Sequence, residues 1–384
     1  MKNKNHFSNC TTFFSNFQLF LPMDIGVNIP KSAPVRVISK LLEGLDYRNL
    51  MQAYSKNKGR RHKIEANKNF ELNKNKEITN GVQVQQETVN KNSLEILGNE
   101  YKLNEGIFNL TTKEKEDLEF TTKELELIKP LFTTKEIDRY FTSKNNENWV
   151  IYTDSSFKDK SKIEQFPNLQ KHLDKFVSVI TSDNKPYGIH RARNEYFFKG
   201  EKILALRKCV GKPLFSYADF DTYVNQAFYV IKSERINLKY LTALLNSKLV
   251  SFWLKYKGKM QGDNYQVDKE PILNIPIKNI EDTKPFKILV DYIIYLKQEK
   301  KENYIIEFFE RVIDIAVYEL YFKEELHSKG FGILEVLESE LIPFDNSFET
   351  IERVYKKLSD KNHKVAYNVN FIDTLDIVKT IENK

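Results

Sequence analysis

Leu238, Leu241, Leu244, Leu245, Leu249 and Phe252 recur at steps of three and four residues, the spacing that lines one face of an α-helix. A helix over residues 237–256 with that face needs an apolar surface to lie against. The chain upstream offers runs too short to be helices, Ile203-Leu204-Ala205-Leu206 and Phe228-Tyr229-Val230-Ile231, which turn-rich sequence separates as it would neighbouring strands. Gly106-Ile107-Phe108-Asn109-Leu110 and Trp149-Val150-Ile151-Tyr152 read as earlier strands. A charged helix over residues 112–130, ending near Pro130, and an amphipathic helix over residues 169–180 lie among them. Leu273-Asn274-Ile275-Pro276-Ile277 reads as a closing strand, placed at an edge by its proline. Strands and helices do not alternate regularly, so the pattern predicts an α+β fold: a mixed-sheet region followed by a helical C-terminal region.

The helical part includes residues 286–297 and 305–322, then 349–358 and 372–381. Residues 305–322 place apolar side chains on more than one side of the helix, which predicts burial in a bundle, with its own domain as the default cover. The expected organisation is an N-terminal extension or linker over 1–77, the mixed region over 78–280 and the helical region over 281–384. No internal repeat is expected.

Charge follows the same division. Residues 1–280 carry 45 Lys and Arg against 32 Asp and Glu, and residues 281–384 carry 15 against 21. A basic body suits a polyanion and an acidic tail suits assembly, although a solvated Lys-rich surface would look the same by charge alone. Five Lys and Arg without an acid fill residues 56–63, as either a phosphate-binding arm or a solvated linker. Cys10 and Cys209 are the only cysteines, which excludes a disulfide framework and a Cys-rich zinc site. No run of about 18 apolar residues is present. The reading is a soluble, cytoplasmic protein without membrane contact.

Base-flipping amino-methyltransferases use an Asn/Asp-Pro-Pro-Tyr/Phe loop and a glycine-rich turn for the methyl donor. The sequence has no Pro-Pro pair, and Gly330-Phe331-Gly332, its one Gly-x-Gly, follows a helix and not a strand. Glu100-Tyr101-Lys102 has no Pro-Asp partner for a metal-dependent nuclease, and the six His show no ligand spacing. No catalytic, metal-binding or cofactor-binding residue is expected in this chain.

Two basic elements read as binding surfaces. Residues 187–217 carry seven Lys and Arg, Lys208 among them, against two Glu. If Tyr187-Gly188-Ile189-His190-Arg191-Ala192-Arg193 is extended, Arg191 and Arg193 share a face beside His190, and two guanidinium forks suit guanine edges or phosphates. The alternative is a structural arginine paired with Glu195 or Glu201. The second element runs from Lys255 through Lys257 and Lys259 to Gln261, Asn264, Tyr265 and Gln266. Its lysines suit phosphate and its amides suit adenine edges, whereas an ordinary turn-rich loop is the alternative.

Lys212-Pro213-Leu214-Phe215, Phe228-Tyr229-Val230-Ile231, Tyr240-Leu241-Thr242-Ala243-Leu244-Leu245-Asn246-Ser247-Lys248, Gln261-Gly262 and Asn274-Ile275-Pro276-Ile277 together resemble the TaqI-like C-terminal specificity domain. That domain belongs to Type IIG restriction-modification enzymes, which are adenine-specific DNA methyltransferases. Ile78-Thr79-Asn80-Gly81-Val82, Asn104-Glu105-Gly106-Ile107-Phe108 and Pro186-Tyr187-Gly188-Ile189-His190-Arg191-Ala192-Arg193 are similar to the segments preceding it there. The resemblance covers about residues 78–325. It implies target recognition on double-stranded DNA by 78–280, with a methyltransferase domain or subunit, and in some members a nuclease, as partner. S-adenosylmethionine would then bind to that catalytic partner. An enzyme with an unrecognised active site, or an inactive remnant of a truncated methyltransferase gene, are the alternatives.

Overall fold

Three sheets organise residues 70–382, the part described by this computed structural model; the basic run at 56–63 lies outside the described residues. In chain order the strands are β1 (Ile78–Asn80), β2 (Asn109–Thr111), β3 (Ile128–Phe132), β4 (Tyr140–Phe141), β5 (Asn148–Ile151) and β6 (Lys202–Leu206). They continue with β7 (Lys208–Val210), β8 (Phe215–Ala218), β9 (Tyr223–Val224), β10 (Phe228–Ile231), β11 (Lys259–Gln261) and β12 (Asn264–Gln266). The sheets have the orders β1-β10-β6-β8-β4, β2-β5-β3-β9 and β11-β12-β7. The parallel pairs β4–β8 and β3–β9 among antiparallel ones make the fold a mixed-sheet α+β fold.

β6 and β10 are neighbours, with Leu204 opposite Val230 and Ala205 opposite Tyr229. Their side chains alternate between two cores. Ile203, Ala205, Tyr229 and Ile231 enter a core shared with the C-terminal helices. Leu204, Phe228 and Val230 enter a second core with β2, β3, β5 and β9. A strand covered on both faces has no polar side to present, which is why these two runs are continuously apolar.

The helices are α1 (Lys91–Leu97), α2 (Thr112–Asp117), α3 (Thr122–Leu125), α4 (Pro167–Asp174), α5 (Leu238–Asn246), α6 (Lys248–Lys257) and α7 (Lys269–Leu273). The C-terminal set is α8 (Lys284–Gln298), α9 (Asn303–Tyr321), α10 (Lys323–His327), α11 (Leu334–Glu340), α12 (Phe348–Leu358), α13 (Lys364–Phe371) and α14 (Asp376–Glu382). Helix α9 is buried around most of its circumference, within the same core as α5, α6 and α8. Residues 281–384 therefore complete a core that residues 78–280 begin.

Four local expectations are corrected. The charged helix over 112–130 is two short helices, because Thr111 with Glu114 and Thr121 with Glu124 each form a reciprocal capping box, and Glu119 between them has φ 46°. The same Thr-Thr-Lys-Glu recurs at residues 133–136, where the Thr133 N–H and hydroxyl donate to Glu136. Pro130 does not end a helix but sits inside β3. Tyr152 N–H donates to Leu127 O at 2.7 Å, and with the observed register this leaves Pro130 opposite Trp149 at a non-hydrogen-bonded pair. Its missing N–H thus removes no ladder bond.

The Leu-striped stretch 237–256 breaks between α5 and α6. Asn246 is bonded through both amide atoms to the backbone of Phe215, and Ser247 takes an extended ψ of 156° to cap α6 through Val250 N. A side chain that docks on β8 and one that caps the next helix end the first helix where periodicity alone continues it. Residues 273–277 form no strand. They contain the end of α7, its cap Asn274 and a single bridge from Ile277 to Phe70.

Candidate nucleic-acid interface

Strand β6 passes through Arg207 directly into β7, and α6 passes through Gly258 directly into β11. At Gly258 a Cβ would lie 2.6 Å from Leu254 O, so the helix can leave into the strand only at glycine. Gly262 and Asp263 then make a two-residue hairpin, with Gly262 at φ 61°. The register sets two rows across the sheet, Lys259–Gln266–Lys208 and Gln261–Asn264–Val210.

Alternation gives the two faces of this small sheet opposite roles. Met260, Tyr265 and Cys209 pack against or within the core. Burial pushes the Cys209 thiol up to about 11, which makes it a packing residue and not a nucleophile. Lys208, Lys259, Gln261 and Asn264 are exposed on the other face, with Gln266 half-buried beside them. Four of the residues expected to bind DNA are thus brought onto one surface. Tyr265 is not on it, because its in-register neighbours Cys209 and Met260 face the core as it does.

The surface is basic but partly compensated. Lys259 Nζ lies 3.5 Å from Asp268, and Gln261 Nε2 donates to Gln266 at 3.2 Å. Lys257, at the end of α6, places its ammonium 5.2 Å from the Trp253 ring. Lys212 and Lys255 are exposed nearby in sequence.

Residues 183–193 form a turn-rich loop in place of the expected strand. Arg191 pairs with Gln83 through a single antiparallel bridge, and Arg193 then turns into the left-handed region at φ 71°. The two arginines consequently have different environments. Arg191 is exposed and bonds Asp183 at 3.0 Å, not either glutamate considered from the sequence. Arg193 is half-buried, with Nε 3.5 Å from Gly81 O and its own carbonyl accepting from Tyr152. Burial lowers the Arg193 guanidinium pKa, and Arg191 adds to that shift. His190 accepts from Asp183 N at 3.5 Å and is itself mostly covered. Glu195 serves a separate purpose, taking Lys129, Lys199 and Tyr223 as partners, and Glu201 accepts from Tyr217.

Lys269 donates to the carbonyls of Lys74 at 2.8 Å and Ile78 at 3.0 Å. It begins α7 three residues after Gln266, and Arg193 lies within electrostatic reach of it. A broad groove of about 1200 Å³ lies elsewhere, between residues 135–145 and the facing ends of α8 and α9. Ion pairs Lys297–Asp138 at 2.6 Å and Arg139–Glu310 at 3.7 Å cross it, and Lys212 also lines it. Among the described residues, no group of three or more His, Cys, Asp and Glu is placed to hold a metal ion. No helix among them is long and apolar enough to cross a membrane.

Sequence reading missed Val210, which shares the outward face of the small sheet. The signal was available in the alternation Lys208-Cys209-Val210 ahead of Gly211, and in Gly262-Asp263 between two alternating tripeptides, which together spell a hairpin and its neighbouring strand.

Residues 129–277 match the model of the TaqI-like C-terminal specificity domain. The matched span contains all three strands of the small sheet and the Asn246-Ser247 junction. Among curated proteins, the chain is similar to the Type II methyltransferase M.HincII of Haemophilus influenzae, 30% identical over 175 residues, which are 41% of this chain and 34% of that protein. It is also similar to the Type II methyltransferase M.HindII of Haemophilus influenzae strain Rd, 37% identical over 70 residues, or 17% of this chain and 14% of that one. The chain thus spans about a third or less of these relatives. Among solved structures, the Type IIL restriction-modification enzyme MmeI in complex with DNA aligns with a TM-score of 0.41 and 14% identity, over 72% of this chain and 35% of that one.

Proposed function

Taking residues 129–277 as a TaqI-like specificity domain of the restriction-modification methyltransferase family, we propose that this chain recognises a specific sequence in double-stranded DNA. It positions the duplex for a methyltransferase domain or subunit, which extrudes and methylates an adenine and carries S-adenosylmethionine. A Type IIG-like arrangement in the cytoplasm is the setting of this reading.

One observation carries it: β7, β11 and β12 present Lys208, Lys259, Gln261 and Asn264 on one exposed face, while their alternate residues anchor the sheet in the core. Amide side chains match adenine N6 and N7, and lysines match phosphate, so the face has both the specifying and the positioning chemistry of duplex recognition. Mounting those groups on a packed sheet holds them in a fixed relation, as base readout requires.

The test is selection of the full chain against a randomised duplex library, followed by binding titrations on enriched and scrambled duplexes. Enrichment of a defined sequence, and stimulation of methyl transfer at that sequence when a cognate methyltransferase is added, are expected. Equal binding to all duplexes, or none, overturns the proposal.

A further inference from the structure

Val210 is 87% exposed, the most exposed of the large apolar residues among those described. A lone apolar side chain at a surface is ordinary. Its position is not. It ends β7 directly opposite Asn264, which is directly opposite Gln261, so one cross-strand row reads Gln261–Asn264–Val210. The row beside it, Lys259–Gln266–Lys208, carries the charge. All six side chains alternate with Met260, Tyr265 and Cys209, which face the core.

Resting on the reading above, we propose that Val210 packs against the C5-methyl group of a thymine in the major groove, and that the row Gln261–Asn264–Val210 reads A·T pairs. The chemistry of the row selects this partner. An A·T pair presents an acceptor and a donor on adenine, then an acceptor and a methyl group on thymine. A carboxamide supplies the complementary donor and acceptor, and a valine supplies the apolar contact. Nothing in the row offers the cationic fork that suits guanine or the carboxylate that suits the cytosine amine. Neighbouring strands lie about 4.8 Å apart, so the row spans roughly 10 Å, within the roughly 12 Å width of the major groove. Gln261 exchanges its bond to Gln266 for one to the base.

The experiment uses the full chain, wild type and with Val210→Ala or Val210→Thr. Each protein is first selected against a randomised duplex library. The enriched duplex is then resynthesised with uracil, which lacks only the methyl group, replacing each thymine in turn. At one position the wild type loses about four-fold in affinity on that replacement, the value of one buried methyl-sized group. Val210→Ala binds the thymine duplex more weakly by a similar factor and no longer distinguishes thymine from uracil there, while its melting temperature is unchanged. Val210→Thr, with the same shape, retains part of the discrimination. If the wild type binds thymine and uracil alike at every position, or Val210→Ala keeps the full preference, this proposal is wrong while sequence recognition stands. If no sequence is enriched, duplex recognition itself fails, and the role of Val210 with it.

Discussion

Asp314 should make the protein less stable at neutral pH than it would be with asparagine there. The carboxylate lies inside α9, accepts Lys248 N–H at 2.7 Å, and thereby holds the first turn of α6, the helix that feeds β11. Burial raises its pKa to about 6 from 3.8; Lys248 and Arg311 oppose the rise, and Glu382 adds to it. Burial sets the direction, and the nearby cations offset it only in part because both are already engaged: Arg311 pairs with Asp373 and Glu382, and Lys248 pairs with Glu382. A folded pKa above the unfolded one means that the folded state holds this proton more tightly. The contribution to stability is therefore greatest below about pH 4, declines from pH 4 to 6, and is lost above 6. A shift of about two units corresponds to roughly 3 kcal/mol at most. Asp314→Asn keeps an acceptor for Lys248 N–H and removes the charge, but its amide N–H groups cost about 1 kcal/mol if unpaired. The variant should be about 1 kcal/mol less stable than wild type at pH 4 and about 2 kcal/mol more stable at pH 7.5. Urea unfolding of both proteins across that range measures the difference. A wild-type-minus-variant difference that does not change with pH, or changes in the opposite sense, refutes the reasoning.

Other perturbations follow from the same geometry. Lys208→Ala should lower the slope of log affinity against log salt by about 0.9, and Lys259→Ala by less, because Asp268 already stands 3.5 Å from that ammonium; equal slopes in titrations from low to high salt would contradict this. Arg193→Ala should cost about 1 kcal/mol of stability through its half-buried stem, whereas Arg191→Ala, which breaks an exposed pair with Asp183 and an exposed bond to the His190 carbonyl, leaves the melting temperature unchanged and weakens duplex binding. Identical effects of the two substitutions on melting and binding would show that the difference in burial is immaterial. Removing residues 281–384 should abolish soluble folding, because Phe286, in ring contact with Tyr240 at 5.2 Å, and the buried faces of α8 and α9 complete the core around α5; a soluble truncation with a cooperative melt would contradict that.

The long apolar signals were legible in the sequence. β6, β10, α8, α9 and α12 fall where periodicity places them, because each buries enough surface for the hydrophobic pattern to dominate. What periodicity missed was decided by single polar groups. Ser247 breaks a helix that the leucines would continue, and the capping boxes at Thr111 and Thr121 divide another. The candidate surface was half legible. Lys208, Lys259, Gln261 and Asn264 were recognisable by residue type, but their shared face depends on pairing β7 with β12 across 54 residues, and no local signal carries that register. The pairing of Arg191 and Arg193 failed for a related reason, since a left-handed φ at a non-glycine residue has no reliable mark in sequence.

In the small sheet, every second codon of three short strands has a different kind of freedom. Changes at 209, 260 and 265 are felt by the core, whereas changes at 208, 210, 259, 261 and 264 alter an outward surface whose backbone is held by the residues between them. Mutation can therefore explore new surface chemistries without passing through unfolded ancestors. A library confined to the outward positions should contain mostly stable proteins, and its members should differ in what they bind far more than in how well they fold.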